Sequence, residues 1–95
     1  MKLDDIVKDI FTIVNNIANS TMFDKRLVAQ KKRAAADLIS SSIQPFVPCV
    51  KNNSTPSRSK IKQALRNLEE TSKTYQIEEL KKPIKDMKAY LDSLG

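Results

Sequence analysis

Residues 3–19, with the sequence LDDIVKDIFTIVNNIAN, carry their apolar side chains three and four positions apart. This spacing places those side chains on one wide stripe of an α-helix, because a helix completes a turn every 3.6 residues. A half-buried strand would need strict alternation, which the stretch lacks. Asp4 and Asp5 fall in the first turn, where the helix dipole favours acidic residues. The stretch therefore predicts an amphipathic helix whose stripe must be covered by other helices.

A second helix is predicted from just after Asp24, which can serve as its N-cap, to about Gln44. Pro45 and Pro48 should end it, because proline lacks a backbone N–H and disfavours helical geometry in the residue before it. Its apolar side would hold seven residues: Leu27, Val28, Ala34, Ala35, Leu38, Ile39 and Ile43. Its opposite side would hold a basic ridge: Lys25, Arg26, Lys32 and Arg33. Lys31 would instead project within the apolar arc and extend its amine to water.

The remaining two helices follow a proline-containing polar stretch. The third should open with Thr55 as N-cap and Pro56 at the first helical position, and should end near Ser72. Its apolar stripe is thin and consists of Ile61, Ala64, Leu65 and Leu68. The fourth should span about residues 75–94. Its stripe keeps the same phase across Pro83, so we predict a helix that is kinked or split at that residue.

Four amphipathic helices with short connections predict an all-α fold, a small antiparallel bundle of about four helices in a single domain covering residues 1–95. No apolar run approaches the ~20 residues of a membrane span, which argues against membrane insertion. The start does not resemble a signal peptide, because Asp4, Asp5 and Asp9 interrupt it. With Cys49 as the single cysteine, these features predict a cytoplasmic protein.

The composition excludes most active-site chemistry. The chain has no histidine, one cysteine and one glycine, which is its last residue. It therefore cannot form a Ser-His or Cys-His nucleophile pair, a thiolate zinc cluster or a glycine-rich phosphate loop. Ser57 and Lys60 have the Ser-x-x-Lys spacing of serine β-lactamases, but the other motifs of those enzymes are missing. We predict no enzymatic activity, no cofactor and no metal site.

The positive charge is concentrated in the middle of the chain. The net charge is +6, and residues 25–66 carry ten lysines and arginines against one acidic residue, Asp37. Residues 1–24 and 67–95 are each slightly acidic. The basic block supplies nine candidate binding residues: Lys25, Arg26, Lys31, Lys32, Arg33, Arg58, Lys60, Lys62 and Arg66. Such a concentration of charge attracts polyanions.

Two functions fit the basic block, and the sequence leaves both open. The first is an accessory subunit of a larger complex that contacts nucleic-acid phosphates, since their neutralisation releases counterions and gives affinity for any sequence. No aromatic residue is interleaved with the charge, which argues against readout of single-stranded bases. The second is an inhibitor, immunity or adaptor protein that binds an acidic protein surface. A full antiparallel alignment would separate the residues of 25–33 from those of 58–66. The alanine-rich apolar face of the second helix argues against a membrane-surface role.

Overall fold

The computed structural model describes residues 2–19 and 29–94, and all of their regular secondary structure is helical. The elements are α1 (Leu3–Asn19), α2 (Ala29–Ile43), α3 (Phe46–Lys51), α4 (Arg58–Tyr75), a 3-10 turn (Glu78–Leu80) and α5 (Lys81–Ser93). The all-α class is confirmed, but the described ranges contain five α-helices rather than about four. The predicted start of the second helix after Asp24 lies outside them. Within these ranges, no helix combines the length and the apolar character that crossing a bilayer requires.

The four longest helices enclose one core. α1 packs against α2 and α5, and α4 packs against the same two helices, so the four close a ring. The short α3 packs against α1 and buries Phe46 almost completely. The largest fully buried side chains are Ile6, Ile10, Ile17, Ile39, Ile43, Phe46, Ile61, Leu68, Ile77, Leu80 and Met87. Each α-helix contributes at least one of them, so the core depends on all five.

Two predictions about proline are not confirmed, and the same property of a helix start explains both differences. Pro48 does not end a helix but lies in the first turn of α3. Pro83 lies in the first turn of α5 rather than at a kink or split within a longer helix. The N–H groups of a first turn have no acceptor inside the helix, so a proline there costs no hydrogen bond. Pro45 does follow the end of α2, as predicted.

The boundary between α4 and the last helix differs from the prediction. α4 runs past its predicted end at Ser72 to Tyr75, and α5 begins only at Lys81, after Gln76, Ile77 and the 3-10 turn. Gln76 takes a left-handed backbone conformation with φ 56°. The carbonyl of Ser72 accepts the N–H of Ile77 at 2.9 Å, and the Ser72 hydroxyl donates to the Ile77 carbonyl at 2.9 Å. Ile77 is fully buried. Its burial and these bonds offset the cost of the left-handed residue.

α4 has Ser57 as its N-cap, so the prediction of Thr55 is wrong. The backbone of Ser57 is extended, and its Oγ accepts the N–H of Lys60 at 3.3 Å. Pro56 is buried just before the cap instead of occupying the first helical position. Serine is among the preferred N-cap residues because its oxygen satisfies a backbone donor that the helix cannot. The serine of the Ser-x-x-Lys motif therefore has a structural role.

α2 is rotated about its axis relative to its predicted apolar stripe. Its buried residues are Ala35, Ala36, Ile39 and Ile43. The predicted stripe contained Ala34 and Leu38 but not Ala36, whereas Leu38 is 47% exposed. Lys32 lies one turn before Ala36 and is consequently half-buried, while Lys31 is exposed. The expected positions of these two lysines are thus reversed.

The rotation of α2 predicts different costs for two adjacent substitutions. Ile39→Ala removes a fully buried side chain and leaves a cavity, so it should lower the free energy of unfolding by about 2–5 kcal/mol. Leu38→Ala removes a half-exposed side chain and should cost less than about 1 kcal/mol. Urea unfolding of both variants measures the difference, and equal costs would contradict the rotation.

The N-cap of α4 predicts a second difference. Ser57→Ala leaves the N–H of Lys60 without its acceptor and should lower the free energy of unfolding by about 1 kcal/mol. Ser59→Ala, in the first turn of the same helix with an exposed side chain, is the matched control and should stay within about 0.5 kcal/mol. The cap assignment fails if urea unfolding finds the two variants equally stable.

Candidate polyanion-binding surface

Seven of the nine predicted binding residues lie in the described part of the chain. On α2, Lys31 and Arg33 are exposed and Lys32 is half-buried. On α4, all four predicted residues are exposed: Arg58, Lys60, Lys62 and Arg66. Lys25 and Arg26 lie outside the described residues. The helical stripe on which each of the four α4 residues lies decides which side of the helix it faces.

α2 and α4 pack against each other. Residues between 38 and 42 of α2 and between 67 and 75 of α4 line one hollow. None of the seven predicted cations in the described ranges lines this hollow.

Three of the four predicted cations on α4 lie on the side of that helix that faces α5. Glu69 and Lys73 line a groove between α4 and α5. Lys62 and Arg66 precede them at positions 62, 66, 69 and 73, a spacing that places all four side chains on one stripe. Arg58, one turn before Lys62, extends that stripe to the start of the helix.

Lys60 lies on the other side of α4. It shares a stripe with Asn67 and Thr71, at i+7 and i+11, and both of these residues line the hollow towards α2. At 100° per residue, Lys60 and Lys62 point about 160° apart around the helix. Two cations that are close in the sequence are therefore on opposite sides of the bundle surface.

Four of the nine residues that line the groove between α4 and α5 are lysines. It has a volume of about 580 Å³, and the buried side chain of Ile84 forms part of its wall. Its cations are Lys73, Lys81, Lys85 and Lys88. Its carboxylates are Glu69 and Glu78. The groove therefore carries more positive than negative charge.

Both carboxylates of the groove are paired. The Lys81 Nζ lies 2.6 Å from Glu78 Oε2, and the Lys88 Nζ lies 2.9 Å from Glu69 Oε1. These side chains are between 48% and 72% exposed, and pairs of this kind contribute at most about 1 kcal/mol. Two lysines of the groove have no partner among the described residues: Lys73 and Lys85.

We define the α4–α5 surface by the cations of these two stripes: Arg58, Lys62, Arg66, Lys73, Lys81, Lys85 and Lys88. Three carboxylates lie among them: Glu69, Glu78 and Asp92. Asp92 is assigned to the surface because it follows Lys88 by one turn. Positive side chains thus clearly outnumber negative ones on this side of the molecule.

The sequence prediction missed the lysines of α5 because it summed charge along the chain. Residues 67–95 are slightly acidic in total. However, Lys82 contacts Asp9 of α1 at 3.7 Å, which marks the α1 side of α5, and Asp86 follows one turn later on that same side. The signal that could have found the α5 cations is their helical spacing at Lys81, Lys85 and Lys88.

Other features of the described ranges do not supply a second kind of site. No three His, Cys, Asp or Glu side chains there are placed to hold a metal ion. Cys49 is half-buried, and its Sγ lies 3.9 Å from the Pro45 carbonyl oxygen. No protein family, curated protein or solved structure matches this chain.

Proposed function

We propose that this chain is a non-enzymatic binding module, an accessory subunit that contacts the phosphate backbone of nucleic acid through the α4–α5 surface. The observation that carries the proposal is the placement of seven exposed or groove-lining cations on one side of two neighbouring helices. Neutralising several phosphates at once releases their condensed counterions, which supplies affinity without any contact to a base.

The length of the surface supports a polymer as the partner. Arg58, Lys62 and Arg66 follow one another at every fourth position, about 6 Å apart along the helix axis. Lys73 extends this row to about 22 Å. Phosphates repeat every ~3.4 Å along each strand of a duplex, so the row can contact several of them. A small anion would engage only one part of such a row.

The chemistry of the surface supports binding without base readout. Lysine and arginine contacts to phosphate fix the position of a protein on nucleic acid but carry no sequence information. A surface that works in this way should bind different sequences with similar affinity and lose affinity steeply as salt rises.

A protein partner is the second candidate, with an observation of its own. Leu38 is 47% exposed beside the hollow that Thr74 and Tyr75 line on the α2 side of α4. Exposed apolar side chains commonly form contacts between proteins, whereas they make no favourable contact with the charged phosphates of nucleic acid. This hollow lies on the opposite side of α4 from the α4–α5 surface, so variants can separate the two candidates.

Charge reversal at two nearby positions tests the proposal. Lys62→Glu should weaken binding to DNA or RNA about tenfold near 0.1 M salt and reduce the slope of log affinity against log salt by about 1. Lys60→Glu makes the same charge change on the other side of α4 and should weaken binding no more than about threefold, because salt screens distant charges. Fluorescence anisotropy with labelled oligonucleotides measures both.

The control variant is suited to its task, because Glu at position 60 would complete a capping box with Ser57 and preserve the helix start. Similar losses in both variants would contradict the assignment to the α4–α5 surface. If the unaltered chain binds neither DNA nor RNA even at low salt, the proposal is wrong and a protein partner is favoured.

Removal of a negative charge should strengthen binding. Glu69→Gln takes a carboxylate away from the α4–α5 surface and releases Lys88 from its ion pair, so we expect about threefold tighter binding. Glu70→Gln is the matched control, because Glu70 lines the hollow on the α2 side. The same anisotropy titrations measure both, and a gain that is equal in the two variants would indicate a general effect of net charge.

A further inference from the structure

The α4–α5 surface consists of two rows of cations on two packed helices. The α4 row contains Arg58, Lys62, Arg66 and Lys73. The α5 row contains Lys81, Lys85 and Lys88. The contact between Glu69 and Lys88 and the groove lining place the α5 row beside residues 69–76 of α4, and packed helix axes are about 8–10 Å apart. The surface therefore has two lines of positive charge that are staggered along the helix axes and overlap at Lys73.

Two lines of charge correspond to a duplex better than to a single strand. Each groove of a duplex is bordered by the phosphates of two strands, and the grooves of B-form DNA are about 12 Å and 6 Å wide. Rows that are one helix spacing apart, with flexible side chains several ångströms long, can reach both borders of a groove. A single strand has only one line of phosphates.

The aromatic side chains of the described ranges lie elsewhere. Phe46 is buried, and the partly buried Phe11, Tyr75 and Tyr90 pack against the core. Tyr75 also lines the hollow on the α2 side. Proteins that hold single strands stack bases on aromatic side chains within the basic groove, and none of these four aromatics belongs to the α4–α5 surface.

We infer that the α4–α5 surface takes double-stranded nucleic acid, with the α4 row on the phosphates of one strand and the α5 row on those of the other strand, across one groove. This inference rests on the proposed function and specifies its substrate. It assigns a binding role to Lys81, Lys85 and Lys88, which lie outside the basic block of the sequence.

The test compares the full chain and two single variants on about 16-base-pair duplexes and on single strands of the same sequence and length, as DNA and as RNA. Lys85→Gln removes one cation from the α5 row. Lys82→Gln, on the α1 side of the same helix, is the matched control, and its exposed pair with Asp9 contributes little to stability. Affinities are measured by anisotropy between about 50 and 200 mM salt, and circular dichroism confirms that the variants are folded.

The inference predicts that the full chain binds a duplex at least about tenfold more tightly than the single strand. Lys85→Gln should weaken duplex binding several-fold and reduce its salt slope by about 0.9, while single-strand binding changes less than about twofold, because a single strand can follow the α4 row alone. Lys82→Gln should change neither affinity by more than about twofold.

Three results would overturn the inference and leave the proposed function standing: equal or tighter binding of the single strand, equal weakening of both ligands by Lys85→Gln, or no effect of Lys85→Gln on a duplex that is bound and sensitive to Lys62→Glu. The absence of salt-dependent binding to any of the four nucleic acids would instead overturn the proposed function together with the inference.

Discussion

The burial of the narrow apolar stripe of α4 is the constraint on which the arrangement of charge depends. Ile61 and Leu68 are completely buried and Leu65 nearly so, which fixes the rotation of α4 about its axis. Because every other side chain on the helix has a set angle to this stripe, Lys62 must face the side of α5 and Lys60 the side of α2. The directions of the cations are therefore a consequence of core packing. A thin stripe suffices because α4 lies between two neighbours, α2 and α5.

The sequence predicted the parts of the fold where apolar contrast is strong. α1 has its predicted bounds, because its large apolar residues make only one helical stripe possible. The rotation of α2 could not be predicted as well, because three successive alanines at 34–36 give little contrast and the packing partners decide which of them is buried. Proline was ambiguous for a different reason. It disrupts a helix interior but is tolerated in a first turn, so Pro48 and Pro83 could mark either a break or a beginning.

The candidate surface was predictable only in part, since charge summed along a chain mixes residues that face different directions. Arg58, Lys62 and Arg66 were recognised in the sequence, but the stripe that they share with Glu69 and Lys73 leads into a groove whose other wall carries lysines of α5. That pairing depends on the turn at Gln76, where Ser72 and the buried Ile77 reverse the chain and lay α5 beside α4. Local spacing gives the stripe on each helix, whereas only the tertiary turn determines which two stripes adjoin.

The ion pairs of the α4–α5 surface bear on how tightly a polyanion could be held. Glu69 and Glu78 already occupy Lys88 and Lys81, so a phosphate must compete with a carboxylate for each of these lysines. Pairs at such exposure are weak, so displacing the carboxylate costs little free energy. That cost still lowers the net free energy gained from each phosphate contact. Lys85 has no such competitor among the described residues. For the proposed function, this mixture of lysines with and without a competing carboxylate favours reversible, salt-dependent binding over permanent attachment. The reason is that part of the positive charge becomes available only when a phosphate displaces a carboxylate.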